Sequence, residues 1–326
     1  MGARLTLEDV LTAREPVSRW LPPTPLRPSL AGCDRELLLK LDCWQPTGSF
    51  KVRGATNLLS TLGADERRRG VVAASAGNHA LGVAFAAACL GDVQATLFVP
   101  TTAPRAKLEK LRRFPVDVRE TGATYDDAVE AARAFEKATG AVFVHAFEDG
   151  RTAAGQGTMA LEILEQCEAP GAVLVPVGGG GLLAGIATVM KARSPETRVV
   201  AVQPEASPAF AESLRLGRAL LTYPAGPTLA DGLAGGIGAI AFDHRELVDE
   251  VVAVSEPEIE EAMVALLARD QVVAEASAAV GVAAVRSGKL AAPARGPIVA
   301  ILTGANVDAR VLARLLARHA GEPAGA

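Results

Sequence analysis

The chain has 326 residues, 49% of them hydrophobic and 21% charged, with a formal net charge of -4. That composition is too apolar for a disordered chain and ample for a large buried core, and the length suits roughly two lobes. Its longest basic run is Arg67-Arg68-Arg69, which leaves no electrostatic footprint for a phosphate backbone and excludes nucleic acid as an expected partner.

The opening MGARLTLEDV carries acidic residues early and lacks an apolar core, so it does not read as a secretory signal and a cytoplasmic protein is expected. From Glu36 onward, short apolar runs alternate with helix-length segments, the signature of an α/β fold with parallel strands and crossover helices. The predicted strands are Leu37 to Leu41, Val71 to Ala74, Thr96 to Val99, Val142 to Val144, Val173 to Val177, Val199 to Val202, Val251 to Val254 and Ile298 to Leu302. Several are apolar without alternation, as expected where helices cover both faces of a sheet. The predicted helices between them include Asn78 to Leu90, Pro104 to Arg113, Tyr125 to Ala138, Ala153 to Gln166 and Glu258 to Arg269, and a last helix spans Ala309 to His319. The Pro/Gly-rich stretch from Tyr223 to Gly238 has no periodicity and reads as a long ordered loop near a site. The strongest apolar stretch, Ala80 to Gly91, is too short to span a bilayer, so no membrane segment is expected. Cys33, Cys43, Cys89 and Cys167 form no CxxC pair, and the four histidines show no HExxH spacing, which leaves zinc sites and disulfide scaffolds unsupported.

Four segments could carry chemistry. In Gln45 to Gly54 a turn runs into a helix on which Lys51 shares a face with Ala55, Leu58, Leu59 and Leu62, while Arg53 and Asn57 point elsewhere. Lys51 could snorkel to water, or it could be desolvated and act as an amine nucleophile towards a carbonyl. In Val71 to His79 a strand ends in small polar residues at a helix start, which suits either capping by Ser75 or Asn78 or a carboxylate or phosphate on free amides. In Val173 to Leu182 a buried strand meets four glycines, Gly178 to Gly181, whose entropic cost is expected where backbone curls around an anion. Gly179, Gly181 and Ala184 also satisfy GxGxxA, but Val199 to Val202 is followed by Gln203 rather than a ribose-binding acid, so a single phosphate matches better than a dinucleotide. In Ile298 to Asn306 an apolar strand ends in Thr303 and a glycine. The last three segments lie at carboxyl ends of strands, which converge in a parallel sheet. An amine, an anion cradle and a neutral hydroxyl in one crevice suggest a phosphorylated aldehyde cofactor.

Taken together, GSFKVRGA, SAGNHALGVA, GQGTMALEI, PVGGGGLLAG, LADGLA, AEASAAVGVAA and LTGANVD, in that order, resemble the serine/threonine dehydratase family of fold type II pyridoxal-phosphate enzymes, related to the tryptophan synthase β subunit. The resemblance implies pyridoxal 5'-phosphate as cofactor, covalently linked to Lys51, with Phe50 against its ring and Asn78 at its phenolic oxygen. Gly178, Gly179, Gly180 and Gly181 would hold the phosphate, Thr303 would meet the pyridine nitrogen, and Gly232 and Glu275 would approach the ring. Ser75, Ala76, Gly77, Asn78 and His79 would line the substrate carboxylate loop. A small mobile lobe over residues 69–147 would be inserted in a large cofactor-binding lobe formed by 1–68 and 148–326, with no regulatory domain after the last helix and a homodimer as the assembly.

The implied reaction is β-elimination from an L-β-hydroxy amino acid such as L-threonine or L-serine, giving an α-keto acid and ammonia. Two departures sharpen it. Serine racemases of this family place a serine where Ala76 stands, so racemisation is disfavoured. The positions of a divalent-cation site in many relatives align with Gln203, Ser207 and Ala209, which lack the two carboxylates a hard cation prefers, so no metal is expected. The competing readings are β-replacement with a sulfur nucleophile, as in cysteine synthases, a catalytically silent binder of amino acids or pyridoxal phosphate, and, more weakly, a nicotinamide-dependent dehydrogenase.

Overall fold

Short, unbroken apolar runs build two separate sheets. The computed structural model describes residues 4–32, 36–103, 105–291, 293 and 295–319. In chain order the first half runs α1 (Leu7–Ser18), β1 (Leu26–Pro28), β2 (Leu37–Lys40), α2 (Lys51–Ser60), α3 (Ala64–Arg69), β3 (Val71–Ala74), α4 (Asn78–Leu90), β4 (Ala95–Val99), α5 (Arg105–Leu111), β5 (Asp117–Glu120), α6 (Tyr125–Thr139) and β6 (Val142–Phe143). The second half runs α7 (Gly150–Gln166), β7 (Ala172–Pro176), α8 (Gly181–Arg193), β8 (Arg198–Pro204), α9 (Ala209–Leu216), α10 (Ala239–Asp243), β9 (Glu250–Val254), α11 (Glu256–Asp270), α12 (Ala276–Arg286), β10 (Ile298–Ile301) and α13 (Ala309–His319).

A six-stranded sheet has the order β1-β2-β10-β7-β8-β9, and a four-stranded sheet the order β5-β4-β3-β6. Every pairing is parallel except the edge pair β1–β2. The smaller sheet draws all its strands from residues between Val71 and Phe143, and the larger sheet draws its own from before and after them. β3, β4, β7 and β10 are buried along their whole length, which explains their lack of alternation. Helices cover both faces of the larger sheet: α11 and α12 contribute Met263, Leu266, Val280 and Val282 to one core, and α7 and α8 contribute Met159, Ile163, Ile186 and Val189 to the other.

All eight predicted strands are present, Val71 to Ala74 with the same ends and the others with ends shifted by at most two residues. Two strands escaped the sequence reading. β1 is three residues long, and β5 is a polar edge strand whose Asp-Val-Arg-Glu has no apolar run to detect. The predicted helix at Ala153 begins three residues earlier, because the Asp149 side chain accepts from the amides of Arg151 and Thr152 and caps the first turn. Likewise α11 starts ahead of Glu258, which serves as the third residue of a capping box on Ser255. The Tyr223 to Gly238 stretch is irregular apart from one short 3-10 turn over Asp231–Leu233. Cys33 and Pro104 lie outside the described residues, while Cys43, Cys89 and Cys167 are free thiols. Among the described residues no helix is long and apolar enough to cross a membrane.

Candidate active site

Lys51 opens α2, and the chain just before it is pinned to the end of β10. The Phe50 amide donates to the Thr303 carbonyl at 3.0 Å, and Ser49 forms an isolated bridge with Gly304. Two residues further on, Arg53 anchors the helix from below. Its guanidinium is fully buried and donates from Nε and Nη2 to Asp42 at 2.7 and 2.8 Å, and from Nη1 and Nη2 to Glu162 at 2.6 and 2.9 Å. Lys40 joins by donating to Glu162 at 2.6 Å and to the Thr24 carbonyl at 2.6 Å. Two cations and two carboxylates therefore neutralise one another beneath the helix. The side of α2 that the apolar pattern left unassigned faces this network, not water.

The Lys51 amine turns inward, donating to the Ala146 carbonyl at 3.1 Å and lying 5.1 Å from the centre of the Phe50 ring. Burial lowers its pKa to about 8, while the charge of Glu275 acts in the opposite direction. A larger neutral fraction than an ordinary lysine has is thus present near neutrality, as a nucleophilic amine needs. Condensation of the apoprotein with an aromatic aldehyde, followed by absorbance, should accelerate as pH rises through about 8 and then level off. Glu275→Gln removes the charge that raises the Lys51 pKa, so the midpoint should move to lower pH; an unchanged midpoint would remove Glu275 from the electrostatics of this amine.

Behind Gly82 of α4 the fit is close: a Cβ there would lie 3.1 Å from the Lys51 backbone, so a side chain at position 82 would crowd α4 against α2. The preceding loop carries Ser75 to His79 off the end of β3. Ser75 Oγ accepts from the Gly77 amide at 3.1 Å, and α4 has no side-chain cap, so neither Ser75 nor Asn78 caps the helix itself. Asn78 instead donates to Glu275 at 2.8 Å and accepts from Asn306 Nδ2 at 2.8 Å. Ala76 and Gly77 are partly exposed beside it. The His79 ring is buried and paired with the Val144 carbonyl at 2.8 Å, and burial pushes its pKa down to about 3, so its side chain is a neutral strut.

The glycine run follows β7, and its four missing side chains each have a specific neighbour. A Cβ on Gly178 would fall 2.7 Å from the Gly232 carbonyl, and one on Gly179 would fall 2.3 Å from the ring of Phe147. One on Gly180, where φ is +84°, would fall 2.3 Å from the Ala241 Cβ, and one on Gly181 would fall 3.0 Å from the Phe147 carbonyl. Protein packing by itself thus requires the glycines that the sequence attributes to an anion. The anion argument rests on the helix start instead: α8 begins at Gly181 with Gly180 as an N-cap that offers no side chain, leaving the first-turn amides without a side-chain acceptor.

Gly232 donates to Ser277 Oγ at 3.0 Å. Glu275 accepts from Asn78 and, at 3.1 Å, from the Asn306 amide; burial and then the charge of Asp231 push its pKa up to about 7, against these hydrogen bonds. Thr303 is 3% exposed at the end of β10. Asn306, passed over as a site residue although it lies in the LTGANVD segment, ties the cluster together. Its Nδ2 also donates to the Thr47 carbonyl at 2.9 Å, and its Oδ1 accepts from Lys110 of α5 at 3.0 Å. The expected convergence of strand ends therefore draws on two sheets, with the β3 loop joined to the end of β10 through Asn78, Glu275 and Asn306.

These residues fit a phosphorylated aldehyde: a desolvated amine for the carbonyl, an uncapped helix start behind a glycine run for the phosphate, and a neutral hydroxyl at Thr303. At the aligned cation positions the Gln203 amide is buried, accepting from the Ala211 amide at 3.1 Å and donating to the Ser207 carbonyl at 3.5 Å.

The family of pyridoxal-phosphate dependent enzymes matches residues 17–304. The chain is 44% identical over 318 residues to an L-threonine ammonia-lyase of Thermotoga maritima, covering 96% of this chain and 78% of that protein. It is 40% identical over 279 residues to the catabolic L-threonine dehydratase of Escherichia coli, covering 85% and 84% of the two chains. Among solved structures, maize serine racemase superimposes with a TM-score of 0.90 at 31% identity, covering 98% of both chains.

Proposed function

Because this chain belongs to the family of pyridoxal-phosphate dependent enzymes, we propose that it binds pyridoxal 5'-phosphate at Lys51 and dehydrates and deaminates an L-β-hydroxy amino acid, with L-threonine the first candidate. The observation that carries the reading is the desolvated Lys51 amine in a chain 44% identical to an L-threonine ammonia-lyase. Lys51, Phe50, Asn78, the Gly178 to Gly181 run, Gly232, Glu275 and Thr303 would hold the cofactor, which supplies an electron-accepting ring when bound. The amides of residues 75–79 would bind the substrate carboxylate at the α4 start. Lys51 would serve as the general base for the α-proton, and the β-hydroxyl would leave as water, taking up one proton for the one removed from the α-carbon. The enamine product would tautomerise to an imine, which adds water and releases ammonia, leaving the α-keto acid. Residues 69–147 would act as the small lobe that closes over the substrate and excludes bulk water, docked on residues 1–68 and 148–326. We also propose a cytoplasmic homodimer, which size-exclusion chromatography with light scattering tests.

Racemisation is a second reading, favoured by the likeness to maize serine racemase. A single amine such as Lys51 would serve one face of the substrate α-carbon, so inversion would need a second acid/base opposite it, and Ala76 has no proton to give. With purified protein, L-threonine or L-serine should yield keto acid and ammonia in equal amounts, with the D-enantiomer forming much more slowly. Ala76→Ser should raise racemisation. D-amino acid appearing ahead of keto acid on chiral chromatography would replace this reading with the racemase one.

Metal dependence is the other discriminating measurement. The Gln203 amide already joins the Ser207 carbonyl to the Ala211 amide, and no carboxylate stands at positions 203, 207 or 209. Chelation should leave the turnover rate within about twofold, since a hard cation would have too few oxygen ligands at these positions. A large loss restored by magnesium or calcium would place a cation elsewhere.

A further inference from the structure

Within the connection from β6 to α7, residues 145–148 touch both ends of the site. Ala146 accepts from the Lys51 amine, and one residue later the Phe147 ring lies against Gly179 in the space a side chain there would occupy. Glu148 accepts from the amides of Ala239 and Ile240 at 2.7 and 3.1 Å, fixing the start of α10, whose Ala241 stands behind Gly180. The Gly238 amide then donates to the Gly179 carbonyl at 2.9 Å and closes the circuit. The turn itself is held by His145, whose Nδ1 accepts from the amides of Phe147 and Glu148 at 3.3 and 2.9 Å and whose ring meets that of Phe147 edge-on.

We propose that Phe147 is a positioning residue for the anion at Gly178 to Gly181, its ring holding the run in the binding conformation and the 145–148 connection setting the spacing between that run and the Lys51 amine. This deepens the proposed function and rests on it. The physical reason is preorganisation. Four glycines have the largest backbone entropy to lose, and a wall that orders them in the free protein removes that cost from ligand binding. Phe147 does not touch the reacting atoms; it acts through the backbone of Gly179 and Gly181.

Apoprotein is titrated with pyridoxal 5'-phosphate by absorbance and intrinsic fluorescence, and the denaturation midpoint of each apoprotein is measured in parallel. Phe147→Ala should raise the dissociation constant by about tenfold or more with a smaller proportional change in affinity for unphosphorylated pyridoxal, which lacks the anion. Phe147→Leu, which keeps apolar bulk, should recover most of the affinity. Gly179→Ala should also weaken binding, and the double variant Gly179→Ala/Phe147→Ala should bind more tightly than Gly179→Ala alone, because the added methyl then enters vacated space. A merely structural role would lower the denaturation midpoint without that rescue. If Phe147→Ala does not fold, Phe147→Val, which also vacates space beside Gly179, takes its place both alone and paired with Gly179→Ala. Equal affinity of Phe147→Ala and the natural protein, or losses that simply multiply in the double variant, would overturn the proposal while leaving the function intact. Failure of the natural protein to bind the cofactor at all would instead remove the proposed function, and this inference with it.

Discussion

Lys51→Ala should eliminate turnover, because that single amine is asked both to form the covalent link and to remove the α-proton. General-base catalysis alone contributes roughly 10²- to 10⁴-fold, and the missing link adds to that loss. Borohydride treatment of the cofactor-loaded natural protein should fix the cofactor to the peptide that contains Lys51, whereas the variant should show no such label by mass spectrometry. The fold should tolerate the change, since the amine makes one hydrogen bond, to Ala146, and its charged form is disfavoured by burial. A variant that still carries a reducible protein link would move the attachment point to another lysine.

Arg53→Ala should have the largest effect on stability. It deletes the guanidinium that serves Asp42 and Glu162, leaving two carboxylates in a site where Asp42 is wholly shielded from solvent. Breaking a buried network of this kind by removing one partner costs about 3–5 kcal/mol. Arg53→Lys should recover little, because an ammonium cannot supply the four donors that Arg53 distributes over two carboxylates. The pH dependence gives an internal check. Burial alone would raise the Asp42 pKa, but the neighbouring Arg53 holds it below the ordinary carboxylate value, so in the natural protein this contribution is present at neutral pH and is lost only as pH falls through the lowered value. In Arg53→Ala the largest influence opposing burial is gone and only Lys40 and the Thr24 hydroxyl still favour the charged form, so Asp42 takes up a proton more readily in the folded state and part of the loss is relieved in acid. Urea midpoints of the two proteins should therefore lie closer together at pH 5 than at pH 7. A gap that widens towards pH 5 would show that Asp42 is not the group left unpaired.

The exposed ion pairs deserve no comparable weight. Lys107 of α5 approaches Asp231 at 3.8 Å, but the two side chains are 40% and 77% exposed, and pairs of this kind contribute little. The Lys110 to Asn306 hydrogen bond links the same helix to the site cluster, and its effect should be on substrate handling, not on folding.

Much of this protein follows from local pattern. The eight predicted strands are apolar runs legible without reference to their neighbours, most plainly β3, β4, β7 and β10, which are buried along their whole length, and the helix Asn78 to Leu90 ends where Gly91 adopts a left-handed conformation. Lys51, the SAGNH loop, the glycine run and Thr303 were legible because chemistry-bearing residues stood at the ends of such runs. What local pattern could not determine is who faces whom. Arg53 and Glu162 are 109 residues apart, and a buried ion pair has no periodicity to betray it. Phe147 follows a two-residue strand and reads as an ordinary loop residue; only the packing of residues 145–148 against a run more than 30 positions away shows that the glycines make room for its ring. Asn306 gains its place in the same way, from contacts with Asn78, Thr47 and Lys110 that two different sheets bring together. The sequence by itself determined the elements and the kinds of group at their ends, since these depend on neighbours along the chain. The tertiary structure alone decided the distances between those groups, and with them the lowered pKa of Lys51 and the raised pKa of Glu275, because burial and electrostatic fields are properties of the assembled interior.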